Sequence, residues 1–317
     1  MNALALVSQL GGVVLAVALA PLLAGWVAQC RAWLQNRSAP SLLLPYRTLR
    51  KLFRKDAALA TQASPLFRAA PYAVFGTMAT AAAIIPSVTT DLPLARVADA
   101  IALVGLFATA RVFIALAAMD IGTVFGSMGA RREMMIGFLA EPALLMVLFN
   151  AFLMFGSTAL PTIVKGTLDA DGLTLHPSLA FAGVAFVMVL LAENARIPID
   201  NPGTHLEVTM IHESMVLEYS ARHLALIEWA SWLKLFNYAC IGFALFVPWG
   251  IAPHTAGPLG LLLAIVWLLA KLAVAGAVLA VIETVSAKLR IFRAPEFLSM
   301  AFLLAVLGLL VHLLLQS

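Results

Sequence analysis

Five ionisable side chains stand inside or at the edge of long apolar stretches: Arg111, Glu141, Glu193, Lys271 and Glu283. A charge inside hydrocarbon costs about 2.5–3.5 kcal/mol on insertion scales, so such residues turn toward protein or water and pair with one another. Carboxylates and amines held in a low dielectric can titrate near neutral pH, which is the chemistry a proton path needs. Arg111 and Lys271 are basic and the other three acidic, so a paired polar line through a helical bundle is expected. Glu141 precedes Pro142. The missing proline N–H predicts a kink there, with polar groups gathered round it. Plain structural ion pairing, or snorkelling of Glu193 and Glu283 to a nearby edge, is the simpler alternative.

The connection 196–234 is a second place for chemistry. It carries Asp200, Glu207, Glu213, Glu218 and Glu228 with His205, His212 and His223, against only Arg196, Arg222 and Lys234. From about Gly203 the pattern reads as helical, with Glu207, Ile211, Ser214 and Glu218 on one face, so that Glu207 and Glu218 line one wall. His205, His212 and Glu213 are conceivable metal ligands, but their spacing matches no HExxH pattern, and no metal site is expected. Cys30 and Cys240 are the only cysteines and no CxxC occurs, so the chain by itself cannot ligate an iron–sulfur cluster through four thiolates. No GxGxxG, P-loop or GxSxG element appears. Gly122, Gly126 and Gly129 predict a tight loop over 122–129.

These residues must be positioned by membrane helices. The chain is 317 residues long, 62% hydrophobic and 11% charged, with mean hydropathy +0.98. Soluble domains run to about 25% charged. A soluble globule could not hide this much apolar surface, which excludes a soluble enzyme, a disordered tail and a disulfide-stapled secreted domain. Eight apolar stretches are long enough to span: about 3–29, 69–90, 99–119, 134–160, 179–195, 235–252, 259–283 and 297–315. The first is too long for a signal peptide and lacks a basic leader, so it reads as a retained span. The expected fold is all-α and polytopic, one membrane domain over 1–317. Sixteen of the 20 Lys and Arg fall in the connections 31–68, 120–133, 196–234 and 284–296. That places these four connections in the cytoplasm and both termini outside. The net charge of +4 therefore speaks of orientation and not of nucleic acid. Segment 42–55 interleaves Leu44, Leu49, Leu52 and Phe53 with five basic residues and reads as an amphipathic helix on inner-leaflet lipid, or as a dock for a peripheral partner.

The run 192–220 (AENARIPIDNPGTHLEVTMIHESMVLEYS) resembles the signature of the complex I subunit 1 family of NADH-quinone oxidoreductases. The matching positions are Glu193, Arg196, Pro198, Asp200, Pro202, Glu207 and the Glu218–Tyr219–Ser220 triplet. The run 119–142 (MDIGTVFGSMGARREMMIGFLAEP) and the sequence from Asn201 onward resemble the homologous subunit of membrane-bound group 4 nickel-iron hydrogenases, of the hydrogenase-4 component C and formate hydrogenlyase kind.

The resemblance implies a subunit of the bacterial inner membrane that anchors a soluble arm and sits between it and antiporter-like subunits. Its implied partners are the hydrogenase large and small subunits, a ferredoxin-like subunit and membrane lipid. It implies no catalytic residue, metal or cofactor in this chain, the iron–sulfur clusters and nickel-iron centre belonging to the partners. Arg37, Arg47, Arg50, Arg131, Arg132 and Arg196 are the expected docking residues for the arm. Glu193, Asp200, Glu207, Glu213 and Glu218 would sense events there, and Glu141, Arg111, Lys271 and Glu283 would complete the coupling path. Three departures weaken a quinone site: Arg37–Ser38–Ala39–Pro40 lacks the glycine of the family's first loop, His205 stands where the family has an acid, and the stretch from Glu207 to Glu218–Tyr219–Ser220 is longer than in complex I. A quinone-site subunit of a proton-pumping oxidoreductase, a purely structural anchor and a stand-alone transporter remain the alternatives.

Overall fold

The computed structural model describes residues 3–60, 62–94, 99–169, 177–200, 210–253, 257–287, 289 and 293–316. Within them the chain is all-helical, with no strand and a single isolated bridge between Thr89 and Ala252. The helices are α1 (Ala3–Leu34), α2 (Leu44–Phe53), α3 (Pro65–Ile84), α4 (Ala100–Asp120), α5 (Val124–Phe155), α6 (Leu160–Asp169), α7 (Pro177–Glu193), α8 (Ala221–Phe246), α9 (Pro258–Val285) and α10 (Ala294–Gln316). Each of the eight apolar stretches carries one of them. Among the described residues five helices are long and apolar enough to cross a membrane: α1 from Ser8, then α4, α5, α9 and α10; α7 is apolar but shorter.

Local chemistry sets the ends. Proline opens α3 and α9, where the missing N–H costs nothing. Asp99 caps α4 by accepting from Ile101 and Ala102 N–H, both at 3.1 Å. Gly156, with φ +63°, stops α5 in the left-handed conformation. α3 packs on α4 and α8, α4 on α5, α5 and α7 on α10, and α1 on α8 and α9.

The helix ends gather at two poles. At one pole, which carries most of the basic residues, Asp120 accepts from Ser64 N–H at 3.0 Å, the Ser220 hydroxyl donates to Ala58 O at 2.7 Å, and Leu289 N–H donates to Pro198 O at 2.8 Å. At the opposite pole the chain around Thr90 pairs with Ala252. The amphipathic α2 forms as expected. Leu49 is buried, while Arg47, Arg50, Lys51 and Arg54 are exposed.

Two expectations fail. The glycines of 122–129 do not make a loop. Only Gly122, with φ +73°, lies in a turn, and α5 has begun by Val124, with the Thr123 hydroxyl accepting from Gly126 N–H. Gly126 and Gly129 are helical positions where a Cβ would strike Ala118 O and the Ser214 hydroxyl, so close packing and not turn geometry demands them. The helix expected from Gly203 does not run on through 210–220. That segment holds one 3-10 turn, Glu213–Met215, and α8 starts only at Ala221. Side chains take the place of helical bonds there. Asp200 accepts from Ile211 and His212 N–H at 3.3 Å, and Arg132 donates to Met210 O at 3.0 Å. Gly203 to Glu207, and Glu207's place on that face, lie outside the described residues.

Candidate functional site

α4 brings Arg111 into the bundle at 4% exposure. Its guanidinium meets three carboxylates: Nη1 bonds Glu141, Nη2 bonds Glu193, and Nε lies 3.4 Å from Glu133. Glu193 closes α7 and takes a second cation, Lys234 Nζ of α8, at 2.8 Å. Four helices thus converge on five charges. α5 supplies two of the acids at a spacing of eight residues, with Gly137 midway, so all three lie on one stripe. A Cβ at Gly137 would collide with the guanidinium, so glycine is what lets Arg111 lie flat against α5.

Arg111 and Glu193 are almost wholly enclosed, with 3% and 1% of their side chains exposed, whereas Glu141 retains 31%. Buried charge is tolerated only where it is matched. Among the described residues three carboxylates against two cations leave a formal charge of −1, which one proton would neutralise. Beside the cluster is a cavity of about 40 Å³, lined among others by Met78, Phe107, Ser231, Lys234 and His212. That is room for about three waters. Burial pushes the His212 imidazole below its usual range, against a smaller upward pull from Glu133.

A second cluster lies nearer the basic pole. Glu283 of α9, with 1% of its side chain exposed, accepts from Arg196 at 3.0 Å and pairs with Arg31 of α1 at 3.5 Å. The turn after α7 joins the two clusters. Ala195 is left-handed, with φ +50°, and Arg196 N–H closes back on Leu191 O at 2.9 Å. That is the six-to-one bond of a Schellman end, made without the usual glycine.

The expected residues therefore separate. Arg111, Glu141 and Glu193 meet. Glu283 belongs to the second cluster with Arg196. Lys271 joins neither: its ammonium donates to Val247 O at 2.6 Å and lies 5.7 Å from the Phe243 ring. The polar line through Arg111, Glu141 and Lys271 is thus two separate places, because Lys271 is taken up in capping the end of α8. Asp200 is buried and holds the return at Ile211 and His212. Glu213 is half-buried and Glu218 exposed. α5 runs unbroken through Pro142. Of the arginines expected at a docking face, Arg37, Arg47, Arg50 and Arg131 are exposed, while Arg132 and Arg196 are engaged internally. Among the described residues no three of His, Cys, Asp and Glu gather as metal ligands.

Sequence reasoning misses Glu133 and Lys234. Both fall within the basic connections, because α5 and α8 start well before their apolar stretches. The spacing Glu133–Gly137–Glu141 is the signal that could find Glu133.

Helices of this length and apolarity around a buried charge network define a multi-pass membrane protein. The chain belongs to the NADH dehydrogenase family, whose family model matches residues 8–314. It is 35% identical over 280 residues to formate hydrogenlyase subunit 4 of Escherichia coli K12, covering 88% of this chain and 89% of that one. It is 33% identical over 239 residues to hydrogenase-4 component C of the same organism, covering 75% and 74%. Its fold matches a chain in the structure of the membrane-bound sulfane sulfur reductase, an archaeal respiratory membrane complex, with TM-score 0.82 and 18% identity over 96% of this chain and 98% of that one.

Proposed function

We propose that this chain is the membrane-anchoring and coupling subunit of a membrane-bound nickel-iron hydrogenase complex of the formate hydrogenlyase type. It crosses the bacterial inner membrane eight times with both termini outside, so the basic pole is cytoplasmic. There the exposed Arg37, Arg47, Arg50 and Arg131 meet a soluble arm of hydrogenase large, small and ferredoxin-like subunits, which hold the clusters and the nickel-iron centre. The loop with Asp200, Glu207, Glu213 and Glu218 transmits redox-linked changes from that arm. The Arg111 cluster receives them and passes charge toward antiporter-like neighbours through the partly exposed Glu141.

The observation that carries this reading is the cluster itself: two cations and three carboxylates, a net −1 inside the bundle, in a chain whose relatives are named as hydrogenase and hydrogenlyase subunits. The test is capture of the tagged chain from gently solubilised membranes, with hydrogen evolution from a reduced dye, followed by reconstitution into vesicles. A hydrogenase large subunit should co-purify. Glu193→Gln should assemble and evolve hydrogen yet lose most of its ion movement. Full ion movement in that variant would refute the coupling role, and an NADH-binding flavin arm in place of hydrogenase would move the chain to a quinone-linked complex.

A further inference from the structure

The bundle also contains polar groups that the Arg111 cluster does not use. Asn237 of α8 is fully buried, and its amide donates to Met78 O at 2.9 Å, but its side-chain oxygen has no partner. An orphaned buried acceptor carries a desolvation penalty that leucine at that position would avoid. Its place gives it a use. Asn237 follows Lys234 by three residues, so the two share a face of α8. Met78, to which it bonds, lines the cavity beside the Arg111 cluster.

On the other side of the same α3 turn lies a second cavity, of about 220 Å³, toward the pole opposite the basic one. Ala82 is in its wall, with Ser8, Gln9, Ser87 and Thr89. Gln9 is itself buried and donates to Ala83 O at 2.8 Å. Met78 and Ala82 are one turn apart on one face of α3, about 6 Å along its axis. Asn237 itself lines neither cavity, so a bridge takes one or two waters entering between them across that distance.

We propose that Asn237 is the bridge between these cavities, holding water that carries protons between the Lys234–Glu193 pair and the outer cavity at Gln9. The proton moves along water. Asn237 only accepts a hydrogen bond through its side-chain oxygen and neither gains nor loses a proton, so it is a positioning residue. The route rests on the coupling role proposed above and adds to it an outward exit within this chain.

The experiment uses the assembled complex in vesicles. Asn237→Leu should retain assembly and hydrogen evolution but lower ions moved per hydrogen at least five-fold, and Asn237→Ser should restore most of the loss. In parallel, Met78→Cys is exposed to a small water-soluble thiol reagent from the outer side, the native Cys30 and Cys240 both being buried. It should be labelled in the otherwise natural chain and protected at least five-fold in the Asn237→Leu background. No labelling in the natural background, or equal labelling in both, overturns the bridge, as does normal ion movement in Asn237→Leu. The labelling in the natural background does not depend on how Asn237→Leu folds. Glu193→Gln separates the two ideas. If it loses coupling while Asn237→Leu does not, the outward route falls and the coupling role stands. If neither variant changes coupling, both fall.

Discussion

Two ion clusters lie about one turn of chain apart, and they solve opposite problems. Around Arg111 the acids among the described residues are in excess, three against two, and the central pair is sealed. Around Glu283 the bases among the described residues are in excess, two against one, and both arginines keep some access to solvent, 31% of the side chain for Arg31 and 17% for Arg196. A partly solvated surplus can be screened by water and counter-ions. The Arg111–Glu193 pair has no such access, and the surplus around it reaches solvent, protons or a neighbour through Glu141, whose side chain is 31% exposed. The first cluster is therefore suited to moving charge and the second to fastening α1, α9 and the loop after α7 together.

This contrast can be broken most forcefully at Arg111. Arg111→Met should cost about 3–5 kcal/mol, the penalty for stranding buried partners. It would be read as a fall in the thermal midpoint or in recovery of the solubilised complex. Adding Glu133→Gln and Glu141→Gln leaves the neutral Glu193–Lys234 pair and should recover at least half of the loss. No recovery would mean that shape and not charge balance sets the cost.

The next effect is on pH dependence. Burial lowers the His212 pKa in the folded chain, so the folded state binds fewer protons there than the unfolded state does. The stability this contributes is fully present above the unfolded value, about 6.5, and is lost as pH falls from there through the folded value. Its slope is no steeper than about 1.4 kcal/mol per pH unit, the limit for one proton. Thermal midpoints of natural chain and His212→Asn, compared between pH 8 and 5, should converge on acidification. A constant gap would remove His212 from the account of the sealed cluster.

A smaller effect is expected in the second cluster. Glu283→Gln leaves two arginines that water can reach, and should cost about 1 kcal/mol in the same melting assay. A cost as large as that of Arg111→Met would show that the two clusters do not differ in the way described.

The helices that carry the apolar stretches are legible in the sequence, five of them among the described residues being long and apolar enough to cross a membrane, because an apolar run of that length has few other uses. Arg111, Glu141 and Glu193 are legible for the same reason: a charge among apolar residues stands out. Glu133 and Lys234 are not, because they sit where the helices extend past the apolar runs, among charges that resemble a solvated connection. The segment 210–220 reads falsely as helix because Ile211, Ser214 and Glu218 at helical spacing do not reveal that Asp200 and Arg132 already hold its backbone. Lys271 is visible as a cation in an apolar run, but its use as a cap on α8 depends on where Val247 ends that helix, which no local pattern encodes.

The finest test concerns the turn that separates the clusters. Glu193 faces one and Arg196 the other, with Ala195 left-handed between them. For alanine that conformation costs about 1–2 kcal/mol. Glycine removes this cost but loses about 0.5–1 kcal/mol through the freedom it gives the unfolded chain. Ala195→Gly should therefore raise stability by only about 0.5 kcal/mol, read as a small rise in the thermal midpoint. Its effect on communication should be clearer. With alanine the strained turn is held in one geometry, and Glu193→Gln and Glu283→Gln, two groups joined through that turn, should be non-additive in a double-mutant cycle. With glycine the turn can adjust to either loss separately, and the coupling should shrink toward zero. Unchanged coupling in the Ala195→Gly background would mean that the clusters communicate through the packed helices and not through the chain between them.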